Sequence, residues 1–155
     1  MDTETEDLVT TVRWLRDREL IRELPQTYAH GIDTGDWDQV ASVFSADCHV
    51  NGTLTALPIE PYLERLEPGV RAYDATLHFM GNQYVRVDGD EGHVETYAVA
   101  YHIEAEGSDL SDLVMGVRYQ DDVRRDGKGW TICRRNVVKQ WHRGPLPRPD
   151  EGDAR

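Results

Sequence analysis

Basic residues are scarce in this chain. Seventeen Lys and Arg stand against twenty-nine Asp and Glu in 155 residues, a formal net charge of −12. A polyanion such as nucleic acid, or an anionic membrane surface, would be repelled at long range. Cysteine is also sparse: Cys48 and Cys133 are the two present, far apart and without CxxC spacing. Neither a disulfide framework nor a zinc site is therefore indicated, and two ordinary buried thiols are the expectation. No apolar run reaches the ~18 residues that a membrane-spanning helix needs. The acidic start, Met1 to Asp7, has neither the basic nor the hydrophobic region of a secretion signal, so a cytoplasmic protein is expected. HExxH, paired metal-ligand spacing, GxGxxG, the P-loop and GxSxG are all missing. With them goes any motif for metal, nucleotide or hydrolase-elbow chemistry, and no cofactor is expected.

What is present suits one globular domain. Apolar residues make up 39% and charged residues 30%, too apolar for general disorder, and the length supports a single core. Residues 1–142 are expected to form that domain. The stretch 143–155, with three prolines and little to bury, reads as an extended or disordered tail.

Along the chain, Leu8, Val9, Val12, Trp14 and Leu15 suggest a first short helix. Leu20, Ile21, Leu24, Tyr28 and Ile32 then recur at three- and four-residue steps and line one face of a second. Pro25 lies inside that pattern and predicts a kink or a break there. Asp36 follows as a cap for a short helix that turns Trp37, Val40, Ala41 and Phe44 inward. Ser45 to Gly52 reads as a turn leading into a short strand, with Thr53 to Ala56 as its hairpin partner. Pro61, with Tyr62, Leu63 and Leu66 behind it, predicts a third helix ending near Pro68 and Gly69. After that the period becomes two: residues 76–87, 94–104, 113–123 and 130–141 read as four strands joined by Gly-containing turns. Helices followed by long hairpin-linked strands make an α+β fold, a curved antiparallel sheet with helices on one face and a concave cavity between them.

The candidate chemistry centres on His78, in the run Ala75-Thr76-Leu77-His78-Phe79-Met80-Gly81-Asn82. Imidazole accepts a proton near neutral pH, and a base of this kind needs a carboxylate to fix its tautomer. Asp33, at the end of the second helix, can supply it. The residues alone equally allow His78 to satisfy a strand-end carbonyl and Asp33 to cap a turn. His102 shares a sheet face with Thr96, Ala98 and Ala100, whose small side chains leave room for a ligand or for a packed helix. Tyr28 lies about a turn and a half before Asp33, where its hydroxyl could polarise a carbonyl or its ring could simply be core. Asn82 and Asn136 are strand amides able to orient a substrate oxygen. Arg118 and Asp121, three apart, cannot share a strand face. Arg134 or Arg135 offers Asp121 a cross-strand ion pair, which leaves Arg118 as a substrate-binding candidate.

These pieces, in this order, resemble a known group. Tyr28-Ala29, Ile32 to Asp38, His78 to Asn82, the Glu95 to His102 strand, Gly116 to Asp121, Arg124 to Gly127 and Trp130 are similar to the SnoaL-like members of the nuclear transport factor 2-like superfamily. That group includes scytalone dehydratase, polyketide cyclases, hexachlorocyclohexane dehydrochlorinase and bile-acid dehydratase. The resemblance spans Asp17 to Trp141 and implies a cone-shaped fold, with an aspartate on the helix and a histidine on the facing strand forming a dyad at Asp33 and His78. A second histidine of scytalone dehydratase matches His102. That enzyme's carbonyl-polarising tyrosines fall near Ile32 and near Val50 to Gly52 here, so Tyr28, His49 or Asn51 must replace them if anything does. The resemblance implies a cofactor-independent lyase or isomerase (dehydratase- or cyclase-like), acting on a small, mostly apolar, ring-containing molecule, in a homodimer paired through the outer sheet face. It equally admits a noncatalytic ligand-binding or subunit-assembly module, like the small subunits of ring-hydroxylating dioxygenases.

Overall fold

The computed structural model describes residues 3–127 and 129–146. In chain order the elements are α1 (Thr3–Thr34), α2 (Trp37–Ser42), β1 (Phe44–Asn51), β2 (Ala56–Pro58), α3 (Ile59–Arg71), β3 (Ala75–Asp88), β4 (Glu91–Ile103), β5 (Leu113–Asp126) and β6 (Gly129–Arg143). Six strands form one curved, unclosed sheet in the order β2-β1-β6-β5-β4-β3, so the α+β expectation holds. The four long strands are antiparallel neighbours, as the alternation predicts. The β1–β6 pair is parallel, which the sequence reading did not foresee, because the β1–β2 hairpin, α3 and three long strands separate β1 from β6 along the chain.

The expected pair of N-terminal helices is one helix of 32 residues that runs unbroken through Pro25. An interior proline costs a helix about 3 kcal/mol. Here Pro25 is buried with Ile21, Tyr28, Ala29 and Ile32 along the face that meets the sheet, and that packing holds the helix together where isolated propensity would end it. The helix stops where Gly35 adopts a left-handed φ of 70° and the Asp36 amide donates to the Gly31 carbonyl at 2.9 Å, a glycine-terminated C-cap. Asp36 caps α2 as expected, its carboxylate accepting from the Gln39 amide at 2.9 Å. α2 crosses so close to α1 that a Cβ on Gly31 would sit 2.8 Å from Val40 Cγ2.

Three smaller expectations shift. Ala41 is exposed, and Phe44 opens β1 rather than closing α2. Gly52 to Thr55 form the turn, with the Gly52 amide donating to the Thr55 carbonyl at 2.8 Å, so the hairpin partner begins at Ala56. β6 continues through Arg143, one residue into the predicted tail; residues 144–146 follow without regular structure, and residues 147–155 of that expectation lie outside the described residues. Cys48 is buried and Cys133 half-buried, both free thiols.

Along β4, Val94, Thr96, Ala98, Ala100 and His102 all point inward and are buried. Arg135 and Asp121 lie deepest in the core, 1% and 0% exposed, joined by two hydrogen bonds of 2.7 Å each. The guanidinium carbon lies 4.3 Å from the Tyr28 ring centre, 5.1 Å from that of Phe44 and 4.7 Å from that of Tyr119. The cation thus has a carboxylate at its edge and aromatic faces around it. The Asp121 partner predicted from the sequence is Arg135. Removing one member of such a pair leaves an uncompensated buried charge, so Arg135→Met is expected to lower unfolding free energy by about 3–5 kcal/mol. Urea denaturation should show the Arg135→Met, Asp121→Leu double variant losing far less than the sum of the two single changes.

Candidate functional site

Asp33 occupies the last turn of α1, whose final turn contains no basic residue. A carboxylate there faces the negative end of the helix dipole, an unfavourable place. β3 compensates with three donors. Thr76 Oγ1 donates to Asp33 Oδ1 at 3.0 Å, the His78 backbone amide to Oδ2 at 2.7 Å, and His78 Nδ1 to Oδ1 at 2.7 Å. Partial burial raises the Asp33 pKa, but the His78 side chain, the His78 amide, the His78 charge and the Thr76 hydroxyl outweigh it, leaving the pKa below its ordinary value. Asp33 is therefore ionised at neutral pH, and an ionised carboxylate only accepts. In the neutral form of His78 the proton therefore sits on Nδ1, which leaves the lone pair on Nε2. No hydrogen bond engages Nε2 among the described residues. The side chains are 5% exposed for His78 and 19% for Asp33.

His102 joins them from the neighbouring strand, directly opposite Thr76 in the β3–β4 register. Its ring lies 5.9 Å from that of His78, edge to face, and 5.0 Å from that of Tyr73. Burial first and the charge of His78 second lower its pKa, against weaker opposition from the Leu113 backbone and Asp33. It is thus a neutral imidazole at neutral pH, and its buried Nδ1 has no hydrogen-bond partner.

Asp33 and His78 lie at one end of an open cleft of about 420 Å³ between α1 and β3. Arg22, Gln26, Ala29, His30, Phe79, Met80, Gly81 and Gln83 complete its lining. A neighbouring hollow of about 350 Å³, lined by Glu23, Gln26, Thr27, His30 and Gln39, includes neither Asp33 nor His78.

Other candidates from the sequence fall elsewhere. Tyr28 belongs to the aromatic box around Arg135, and burial raises its phenol pKa. Arg118 and Asn136 are not brought to the cleft. Both lie on the outer sheet face, because each neighbours an inward residue, Val117 and Tyr119 in one case and Arg135 in the other. There Arg118 pairs with Glu95 at 3.3 Å and Asn136 donates to Gln120 at 2.9 Å. His49 is exposed on β1 between inward Cys48 and Val50. Asn82 is exposed at the register shift between Met80 and Gln83, next to the cleft but not part of its lining. The sequence reading missed Thr76, although it stands two residues before His78 on the same strand face. It also missed Tyr73, Arg22 and Gln83, which no motif marks.

A family model described as the SnoaL-like domain matches residues 13–136. The chain belongs to this family. An uncharacterised protein of Mycobacterium tuberculosis is 30% identical to this SnoaL-like chain over 135 residues, 83% of it and 89% of that relative. Among solved structures, a nuclear transport factor 2-like protein with a cystatin-like fold from Novosphingobium aromaticivorans is 27% identical. The match covers 90% of this chain and 92% of that one, with a TM-score of 0.73. A hexachlorocyclohexane dehydrochlorinase of Novosphingobium barchaimii shares the fold at 15% identity and a TM-score of 0.74, covering 89% of this chain and 99% of its own.

Two members of this SnoaL-like site hold depressed pKa values, and both weaken the fold on acidification. The unfolded chain protonates His102 near its ordinary 6.5, before the folded chain does, so stability falls as pH drops from there. Asp33 acts likewise below its ordinary 3.8. Urea midpoints measured between pH 7.5 and 5.5 are expected to fall in the wild type and to fall less in His102→Phe, which has no such proton to gain.

Proposed function

We propose that this SnoaL-like protein is a cofactor-independent lyase or isomerase in which His78, held by Asp33, takes a proton from carbon. The observation that carries this reading is the 2.7 Å contact between His78 Nδ1 and Asp33 Oδ1, in a histidine that lines the cleft and leaves Nε2 unengaged. A substrate with an acidic C–H beside a carbonyl or a leaving group would present that hydrogen to Nε2. The imidazolium that forms is stabilised by the Asp33 carboxylate, whose other donors keep it in position. His102 steadies the departing oxygen, a role supported by its neutrality and by the 5.9 Å separation of the two rings. The net reaction is an elimination, an isomerisation or an aldol-type cyclisation on a compact, mostly apolar cyclic molecule. The fold shared with a dehydrochlorinase is compatible with elimination.

The outer sheet face supports a second feature of the reading, pairing with another copy of the chain. Leu77, Phe79, Tyr84, Tyr97, Tyr101 and Trp141 are large and exposed there, more apolar side chains than a lone sheet face needs. A purely noncatalytic assembly module would account for that face. It gives no reason for a carboxylate at the C-terminal end of a helix, triply bonded and aimed at an imidazole.

The test is proton exchange. Cyclic ketones and β-hydroxy ketones incubated with the protein in deuterium oxide should exchange or eliminate their α-hydrogens, read by proton NMR. Asp33→Asn and His78→Gln are expected to slow this by about 10²–10⁴-fold while circular dichroism shows the fold intact. Turnover that survives both substitutions overturns the proposal.

A further inference from the structure

The cleft that contains Asp33 and His78 has a second polar end, and nothing in proton abstraction accounts for it. Arg22 and Gln26 stand one turn apart on α1, on the side that carries Asp33, and Gln83 faces them from β3. From Arg22 to Asp33 is eleven residues, about 16 Å along the helix axis. Gln83 organises this end. Its Oε1 accepts from Arg22 Nε at 3.3 Å and from Gln26 Nε2 at 3.2 Å, while its own Nε2 donates to the Arg22 carbonyl at 3.0 Å and to Thr96 Oγ1 at 3.3 Å. One amide therefore fixes two cleft-lining side chains and is itself fully used.

What remains is a guanidinium with its stem pinned and its outer nitrogens free. Neither terminal nitrogen of Arg22 makes a hydrogen bond among the described residues; the nearest carboxylate oxygen, Glu19 Oε2, is 3.8 Å from Nη1 and belongs to a side chain 62% exposed. Such an exposed i,i+3 pair is weak and yields readily to a better partner. Among the described residues Arg22 is also the sole Lys or Arg lining a cleft that otherwise contributes Asp33, histidines, amides and apolar surface. A guanidinium held through Nε, with its terminal nitrogens unengaged, suits a planar anion such as a carboxylate, and its prior ordering lowers the entropy lost on binding.

We propose that Arg22, with Gln26 beside it, is the anion-recognising end of the cleft, so that the substrate is an apolar ring compound carrying a carboxylate remote from the carbon that His78 deprotonates. This rests on the reading of the cleft as a substrate site. It goes further in dividing the cleft into a base end and a cation end with the apolar Ala29 and Met80 as further lining. In a chain of net charge −12, long-range attraction cannot select an anion; a short-range arginine can, once salt screens the rest.

The test uses 3-phenylpropionate and its neutral isostere 3-phenylpropanamide as probes, titrated into the full-length protein at 0.15 M salt and followed by amide NMR shifts of cleft residues. The carboxylate is expected to bind about tenfold more tightly than the amide in the wild type, the range of one charge-assisted contact. That preference should vanish in Arg22→Gln, survive in part in Arg22→Lys, and persist in His78→Gln. Equal binding of the two probes, a carboxylate preference that outlasts Arg22→Gln, or no cleft shifts with either probe overturns the assignment. Because His78→Gln probes the chemistry and Arg22→Gln the anion, loss of the catalytic reading with retention of the carboxylate preference would show that only the former had failed.

Discussion

The buried Arg135–Asp121 pair is the interaction that sets the rest of the structure in place. A charged pair with almost no exposure needs close compensation, and here Asp121 accepts from Nε and Nη2 of the guanidinium while Tyr28, Phe44 and Tyr119 surround it; the buried Nη1 has no hydrogen-bond partner and faces only aromatic rings and packing. Burial would lower the Arg135 pKa, but the charge of Asp121 and its hydrogen bonds raise it, so the cation persists in the core. Those contacts draw in β5, β6, β1 and α1 together. A purely apolar core of the same volume would hold these elements as well but would orient them less uniquely, since aromatic rings and a planar cation meet in few geometries.

From there the geometry propagates to the cleft. Tyr28 stacks on Arg135 and fixes the rotation of α1, and Asp33 follows five residues later, about one and a half turns along the same helix. Pro25 would break that transmission if it ended the helix. It does not, because it packs on the sheet side with Ile21 and Ile32. On the sheet, period-two alternation puts Thr76 and His78 on one face of β3, and β4 adds His102 opposite Thr76. The carboxylate is thus presented by a helix and received by a strand, both regular elements, which hold the two side chains more rigidly than a loop would.

Much of this was legible in the residues, for identifiable reasons. The long strands announced themselves because each is half-buried and alternates. Asp36 was readable as a cap because its chemistry is local. The Asp121 ion pair followed from counting faces: two charged residues three apart on a strand cannot both point outward, and the last strand offered arginines. Asp33, His78 and His102 are neighbours in space, whereas spacing alone left each with an ordinary structural explanation. What escaped was non-local. The continuity of α1 through Pro25 depends on what the helix packs against, and the parallel β1–β6 pairing depends on where α3 carries the chain. Arg118 and Asn136 misled because an arginine or amide on a strand is informative only once its face is known, and bulges such as those at Gly116/Val117 and Asp122/Val123 shift that face along β6.

The placement of Asp33 also sets it apart from the other carboxylates of a strongly acidic protein. Most of its acidic residues are solvated, and their mutual repulsion is screened. Asp33 differs in standing where a helix disfavours negative charge and in being held there by three donors from one strand. Its local instability and its compensation are inseparable: the donors that stabilise the charge include the imidazole that the charge orients. A helix end free of carboxylate would be the more stable choice for folding alone. Retaining Asp33 sacrifices some of that stability and gains a histidine whose tautomer is set and whose second nitrogen is unengaged, the configuration that proton transfer requires and that packing does not.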